Sequence, residues 1–571
     1  MPADLTHDFK GRALCDFSGS IIRTVTFAAK IGWLHLPVGP SRRAAGLILC
    51  SPPGRDGRSV SKAMRVLAMR LAEQGFPVLR FDPLGIGDSL DLPKDQDAWP
   101  LWLTDLDDAK QLLIRETGIS KLVLGGVRLG ASLAASSRLG ADGLLLMAPI
   151  VSGRQWLREL KLAGAFSGTL VGPESDDLES DGLHLNLATA TGLKRLDLRT
   201  SNPAPNRVLL FAQNPAVATL SEPMMQEGSA VVCHDFTDYD LLFEDTHSNQ
   251  PPHLVFEQIL IWMDQSYPDT VAMIGPRGDP DEQPAALALP HGLEREVQFG
   301  QGLSGVICNP QNVDNRAQAV IFLNTSGEPR AGIGRFAVIA ARALAERGIA
   351  SLRFDFAGIG ESEGERGHVY ETSRRADIDA ALSLLADLGF SNITLVGICS
   401  GSFHATHQLT ADPRVSAAFL VSPKFIWRPT ESLTPEMGDR GRATGAYMAG
   451  LKDPATWQRL ARGGIDVAAV FKTFVQRVGE RLQARLRDHG ARALRSGMAA
   501  ASERGGRARF LLGLDDAALD HLETIFGARG ARLSALSGMS IRVEPILDHG
   551  LARAQSRAIV VADLLAFVDP T

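Results

Sequence analysis

The sequence predicts an α/β protein built twice over, with two mostly parallel sheets in tandem and helices on both faces of each. Three observations predict this. The chain repeats itself: residues 74–89 read QGFPVLRFDPLGIGDS and residues 347–362 read RGIASLRFDFAGIGES, while KLVLGGVRLGAS from Lys121 is matched by NITLVGICSGSF from Asn392. A spacing of about 270 residues is too long for a solenoid and marks a duplicated domain. Runs such as LVLGG and ITLVG are apolar at nearly every position, which is the mark of strands buried on both faces of a parallel sheet. Finally, 571 residues is a length for at least two domains, at roughly 100–200 residues each.

The elements follow in the same order in each copy. TVTFAAKIGWLHLP and EVQFGQGLSGVICNP alternate apolar and polar residues and predict an opening hairpin. An apolar strand comes next (46–50 and 319–323), then a helix (62–73 and 335–346), then the LRFD strand with its GIG turn. Another helix leads to LVLGG or ITLVG. After the fifth of these strands each copy is interrupted, at 152–205 and at 424–507, and these insertions are expected to be lids over the C-terminal edge of the sheet, where such folds place their sites. Between the copies, 268–290 contains Pro268, Gly275, Pro276, Gly278, Pro280, Pro284 and Pro290 with several acids, a composition that suits a linker. The expected division is thus 1–267, a linker at 268–290, and 291–571.

Composition excludes several classes. The chain is 45% hydrophobic and 22% charged, and 59 Lys and Arg against 65 Asp and Glu leave a net charge of −6, which argues against disorder and against general nucleic-acid binding. Cys15, Cys50, Cys233, Cys308 and Cys399 are scattered, with no CxxC pair and no zinc-like spacing, so reduced thiols are expected and no metal or other cofactor is called for. The first 20 residues lack the apolar core of a signal peptide, and no window has the roughly 20 apolar residues of a membrane span. The expected location is the cytoplasm.

The chemistry lies in a pentapeptide. Gly397-Ile398-Cys399-Ser400-Gly401 follows the strand ITLV and precedes a helical SFHA. Flanking glycines permit a strained strand-to-helix turn that lifts the central side chain above the sheet edge. The first copy has the same turn as Gly126-Val127-Arg128-Leu129-Gly130. On these residues, and on the RFD..GIG.S skeleton before them, both halves resemble the alpha/beta-hydrolase fold family over most of their length. The resemblance implies a nucleophile at Cys399, with the helix N-terminus favouring its thiolate; the ordinary alternative for a free cysteine is a small buried hydrophobe. Ser400, one place along, would point its side chain elsewhere and offer its backbone N–H to an oxyanion. The family's chain order is nucleophile, acid, base. It implies His549 as the base, after the strand SIRVEPIL and before the last helix, and Asp516 as the acid, three places after Gly513, with Asp515 and Asp520 as alternatives. Thr325 and Ser326, after the strand ending at Leu323, are oxyanion candidates by position. His404, His407 and His521 lie on helices and do not approach from the direction a base requires.

The first copy reads as degenerate. Arg128 stays protonated and has no nucleophilic lone pair. The counterpart of RFLLGLDDAAL is RVLLFAQNPAV, in which Asn214 and Pro215 are expected at the places of Asp515 and Asp516, and only a histidine, His247 or His253, survives nearby. Either this half is kept for packing, or Arg128 binds a carboxylate or phosphate. The GIGDS and GIGES turns lack the third glycine of a dinucleotide fingerprint, so Asp82 and Asp355 are expected to be structural. In the second insertion, Phe471, Val475, Val478, Leu482 and Leu486 recur at helical spacing beside Arg477, Arg481, Arg485, Arg492 and Arg495. This is either a solvated face or an entrance that attracts anions.

A Cys, His, Asp set on this fold implies an acyl-thioester intermediate. Cysteine variants of the family resemble dienelactone hydrolases and polyester synthases, and the GICSGSFHA, SPKFIWRP and WQRLARGGIDV segments look like bacterial hydrolases associated with exopolysaccharide production. The expectation is a hydrolase acting on a small-molecule ester or thioester such as an acyl-CoA or an acylated sugar. The alternatives are an acyltransferase using the same triad and a noncatalytic tandem binding scaffold. Oligomeric state is not legible.

Overall fold

A computed structural model of the chain describes residues 14–17, 19–167, 177–200, 205–270, 285–311, 318–367, 369–370, 374–424 and 489–569. The first half contains β1 (Leu14–Phe17), β2 (Ser20–Phe27), β3 (Lys30–Pro37), β4 (Ala45–Cys50), β5 (Val78–Phe81), β6 (Lys121–Val127), β7 (Gly143–Met147), β8 (Leu178–Ser180), β9 (Leu183–Leu185), β10 (Arg207–Ala212) and β11 (Ala230–Asp235). The second contains β12 (Ala286–Leu289), β13 (Gly292–Phe299), β14 (Leu303–Pro310), β15 (Gln318–Phe322), β16 (Ala350–Phe354), β17 (Asn392–Ile398), β18 (Val415–Val421), β19 (Arg507–Gly513) and β20 (Met539–Glu544). Two nine-stranded sheets result, ordered β1-β2-β3-β5-β4-β6-β7-β10-β11 and β12-β13-β14-β16-β15-β17-β18-β19-β20. The two orders match strand for strand. In the first sheet β1, β2, β3 and β5 pair antiparallel in succession, and every pairing from β5 through β4, β6, β7 and β10 to β11 is parallel. The second sheet repeats this, antiparallel from β12 to β16 and parallel from β16 to β20. This is the strand order of the alpha/beta-hydrolase fold, present in both halves.

Both faces of each sheet are covered, which is why the central strands carry no polar alternation. Along β6, Val123 and Val127 pack with Val60, Leu67 and Leu71 of the helix Gly54–Glu73, while Leu122 and Leu124 point the other way, toward Leu106 and Leu113 of the helix Ala98–Thr117. In β17, Ile393 and Leu395 face one layer and Val396 the other. Each such fully buried leucine contributes roughly 2 kcal/mol by leaving water, so the parallel strands sit deep and their C-terminal ends form a rigid edge for the site.

The halves pack through a pseudo-twofold contact that reuses the repeated motif. Arg80 of the first LRFD forms a two-pronged ion pair with Glu361 of the second GIGES, at 3.0 and 2.7 Å. Reciprocally, Arg353 of the second LRFD binds Asp88 of the first GIGDS at 2.9 Å. Arg330 adds a second cation to Asp88, and Trp33 donates its indole N–H to Glu296 across the same boundary at 3.1 Å. Asp82 and Asp355 each fold their own GIG turn: Asp82 accepts from the Asp88 amide and Asp355 from the Glu361 amide, both at 3.0 Å.

Two boundaries differ from expectation. The end of the expected linker is strand β12, which pairs with β13 and whose Ala286 carbonyl accepts from Thr26 of the first half. Proline and glycine mark the segment before it, but the short run ALAL is apolar enough to extend the sheet. The first insertion holds the helix Gly153–Ser167, the hairpin β8–β9 and the helix Leu187–Leu193. Of the second insertion, 425–488 lies outside the described residues, and with it Phe471, Val475, Arg477, Val478, Arg481, Leu482, Arg485 and Leu486. Its last helix, His489–Glu503, is part of the core rather than a lid: Ala491, Leu494, Met498 and Ala501 bury themselves with Ala405 and Leu409. Arg495 of that helix donates to the Ile525 carbonyl at 3.0 Å.

Candidate active site

The strand β17 ends where the helix Ser400–Ala411 begins, and Cys399 between them has φ 51° and ψ −107°. Such an angle strains any residue with a Cβ, and it is held here because the glycines let the turn close. A Cβ on Gly397 would meet the Gly401 carbonyl carbon at 2.2 Å, and one on Gly401 would meet the Asn324 carbonyl oxygen at 3.0 Å. The Cys399 side chain is half-buried, unlike the fully buried Cys50 and Cys308. Ser400 is buried, and its hydroxyl accepts from the Ser326 amide at 2.7 Å, so it faces the neighbouring loop.

Two loops bring partners to the elbow. β19 ends at Gly513, and Asp516 caps the helix Ala517–Phe526 by accepting from the Ala518 amide at 2.9 Å. β20 leads to the short loop bearing His549, which is closed internally by the Asp548 carboxylate accepting from the Ala552 amide at 2.7 Å. The Nδ1 of His549 lies 2.9 Å from both carboxylate oxygens of Asp516. The imidazole also hydrogen-bonds Cys399, and the three residues share one site.

The electrostatics favour charge separation. Burial would raise the Cys399 thiol, but its hydrogen bond to His549, the imidazolium charge, the Lys424 ammonium and a hydrogen bond to Tyr370 together bring it below its ordinary value. Burial likewise opposes a charged His549, yet the bonds to Asp516 and Cys399 prevail and raise it to about 10. Asp516 is held below the usual carboxylate range: burial works against this, and the His549 hydrogen bond and charge outweigh it. Both shifts favour a thiolate beside an imidazolium over a neutral thiol beside a neutral imidazole.

Of the oxyanion candidates, Thr325 and Ser326 both stand beside the elbow, but with groups already engaged. The Thr325 hydroxyl donates to the Ile398 carbonyl at 3.2 Å, and the Ser326 amide is taken by Ser400. This corrects the expectation for the Ser326 amide: at φ 55° it latches the loop to the elbow. A small cavity behind this loop is lined by Thr325, Ile398 and Gly550. The larger cleft, about 890 Å³, runs between the halves and is lined by Arg58, Asp82, Arg330, Arg335 and Arg557 rather than by Cys399.

Sequence reasoning missed Tyr370 and Lys424. The Tyr370 hydroxyl lies 3.8 Å from the Cys399 sulfur, and its ring meets Phe403 edge-on at 5.4 Å. The neighbouring Val369 carbonyl accepts from His404 Nε2 at 2.9 Å; burial keeps that imidazole neutral, with a pKa of about 3. The only sequence signal was a tyrosine after the GIGES turn, on the edge where the elbow opens. His404 thus serves the segment that carries Tyr370.

The first elbow keeps the turn with Arg128 in place of the cysteine. Arg128 has φ 51° and ψ −121°, close to Cys399, and its Nε pairs with Asp56 at 3.3 Å. That partner offsets the charge Arg128 would offer an anion. The N-cap held by Asp516 in the second half is held by Asn214 in the first, one place from the expected alignment, and Pro215 follows it inside the helix. His247 and His253 are both exposed. Among the described residues no group of His, Cys, Asp or Glu is arranged to hold a metal ion, and no helix is long and apolar enough to cross a membrane.

Residues 329–453 match the family described as serine aminopeptidase, S33. Solved structures with similar folds include an esterase of Pyrococcus furiosus, at 12% identity over 48% of this chain and 91% of that one, with a TM-score of 0.31. A putative dienelactone hydrolase of Klebsiella pneumoniae is 16% identical over 48% of this chain and 98% of its own, with a TM-score of 0.31. A serine hydrolase without lid from Xanthomonas campestris is 14% identical over 49% and 95%, with a TM-score of 0.29. No curated protein matches the sequence.

Proposed function

We propose that the chain is an acyl hydrolase, a thioesterase or esterase, in which Cys399 is the nucleophile, His549 the acid and base, and Asp516 the residue that orients the imidazole. The observation that carries this reading is the Asp516–His549–Cys399 relay at the tip of a strained elbow, with both His549 and Cys399 shifted toward their charged forms. The Cys399 thiolate adds to the carbonyl carbon, and the carbonyl oxygen becomes an oxyanion facing the backbone amides of Ser400 and Thr325. The tetrahedral intermediate collapses, the bond to the leaving group breaks, and the departing oxygen or sulfur takes the proton of imidazolium His549. Neutral His549 then removes a proton from water as that water attacks the thioester. The carboxylic acid leaves and the thiolate–imidazolium pair returns.

Acyl transfer differs only in the second nucleophile, an alcohol in place of water. An acyl-CoA or an acylated sugar fits this scheme, with a place in bacterial polysaccharide metabolism and in the cytoplasm, where the thiol stays reduced. The test is intact-mass analysis after brief exposure to activated esters and thioesters. Wild type is expected to gain one acyl group, Cys399→Ala none, and Arg128→Ala the same as wild type. Labelling that persists in Cys399→Ala, or a wild type that no such probe labels, removes the enzymatic reading in favour of a noncatalytic scaffold. Product carrying the acyl group on an added alcohol, in preference to water, identifies the transferase.

A further inference from the structure

We infer that the first half braces the catalytic loops of the second, and that Glu179 and Arg58 are positioning residues for the site. This rests on the reading of Cys399 and His549 given above. The brace is the turn of the β8–β9 hairpin in the first insertion. Glu179 in that hairpin is buried and accepts from the Ala554 amide at 2.6 Å, where the loop carrying His549 enters the last helix. The Gly182 amide donates to the Ala552 carbonyl of the same loop at 3.1 Å. Arg557, one turn into the helix, joins Glu179 to the Leu551 and Ala552 carbonyls. The loop from 548 to 554 is thus tied at one end to β20 and at the other to the first half.

The same turn reaches the other side of the site. Arg58 binds Asp181, next to Gly182, at 3.0 Å and Glu328 at 2.5 Å. Glu328 closes the loop that bears Thr325 and Ser326: its carbonyl accepts from Asn324 and its amide donates to the Thr325 carbonyl. The Thr246 hydroxyl of the first half donates to the Glu328 carboxylate at 3.2 Å. Gly327 packs so closely on the Thr246 carbonyl that a Cβ there would come within 1.9 Å of its oxygen. One hairpin turn of the first half therefore spans the oxyanion loop and the base loop and fixes their separation. Misplacing a catalytic group by about 1 Å costs up to a hundredfold in rate, so a half that has lost its own nucleophile still has work at the site of its twin.

The test uses the full chain, with rates of acylation by an activated ester and the pH profile of iodoacetamide alkylation at Cys399, read peptide by peptide. Glu179→Ala is expected to slow acylation by about tenfold or more and to move the midpoint of alkylation upward, because a loosened imidazole stabilises the thiolate less. Glu179→Gln, which keeps an acceptor for the Ala554 amide, restores most of the rate. Arg58→Met, from the other end of the brace, slows acylation independently. Measurements are made below each variant's melting temperature. Glu179→Ala and Arg58→Met with wild-type rates and an unshifted profile overturn the brace. His549→Gln separates the two claims, since an unshifted profile in that variant overturns the triad itself.

Discussion

The polar groups that act on the Cys399 sulfur are hydrogen-bond donors or cations: His549, Tyr370 and Lys424. The Cys399 thiol is therefore held below its ordinary value, and His549 keeps its proton up to about pH 10. Alkylation at Cys399 is expected to rise on an acid limb and then stay level, and acylation to fall again above about pH 10 as His549 loses the proton it gives to the leaving group. Burial and the Cys399 charge raise the Tyr370 phenol well above its ordinary value, so it donates and does not serve as a base. Tyr370→Phe keeps the edge contact with Phe403 and removes one donor. Its alkylation midpoint is expected to move up by about one pH unit, a tenfold loss of thiolate on the acid limb; an unmoved midpoint would show that the phenol does not act on the sulfur. Cys399, His549 and Asp516 were legible because turn glycines and chain order place them. Tyr370 and Lys424 were not, because they come from irregular segments whose approach is set by packing that leaves no period in the sequence.

The elbow is an element whose shape depends on two glycines to different degrees. At Gly397 an added methyl collides with the Gly401–Ser402 peptide, whose C, O and N atoms lie at 2.2 to 2.4 Å, whereas at Gly401 its tightest contact is at 3.0 Å. Gly397→Ala is expected to abolish acyl labelling while Gly401→Ala reduces it, as measured by intact mass on samples matched for folding by circular dichroism. Equal labelling of both would mean that the turn relaxes more readily than its geometry implies. The strands were the most readable elements, since a run like ITLV buried on both faces has no other stable setting. The helix His489–Glu503 was the least, because its arginines drew attention to a charged face while Ala491, Leu494, Met498 and Ala501 supplied the buried one.

At the scale of the whole molecule, duplication was legible and the joint between the copies was not. The partners Arg80 with Glu361 and Arg353 with Asp88 stand far apart in sequence, and each reads as an ordinary charge within its own copy. Removing one member of a buried pair leaves the other uncompensated, so Glu361→Gln is expected to cost about 3 kcal/mol or more in denaturant unfolding. A loss below about 1 kcal/mol would mean that the joint tolerates a lone Arg80. Asp82, beside this joint, is raised to about 7 by burial and by the charge of Asp88. From about pH 4 to pH 7 the folded chain keeps a proton on Asp82 that the unfolded chain has released, so this contribution to stability declines as pH rises. The melting temperature of wild type relative to Asp82→Asn should fall across that window; a constant difference would contradict the shift. The most direct test of the central claim is the mass of the intact chain after a short pulse of an activated thioester. One added acyl group, mapped to Cys399 and absent in Cys399→Ala, is the predicted result, and an acyl group found on any other residue, or none at all, would contradict it.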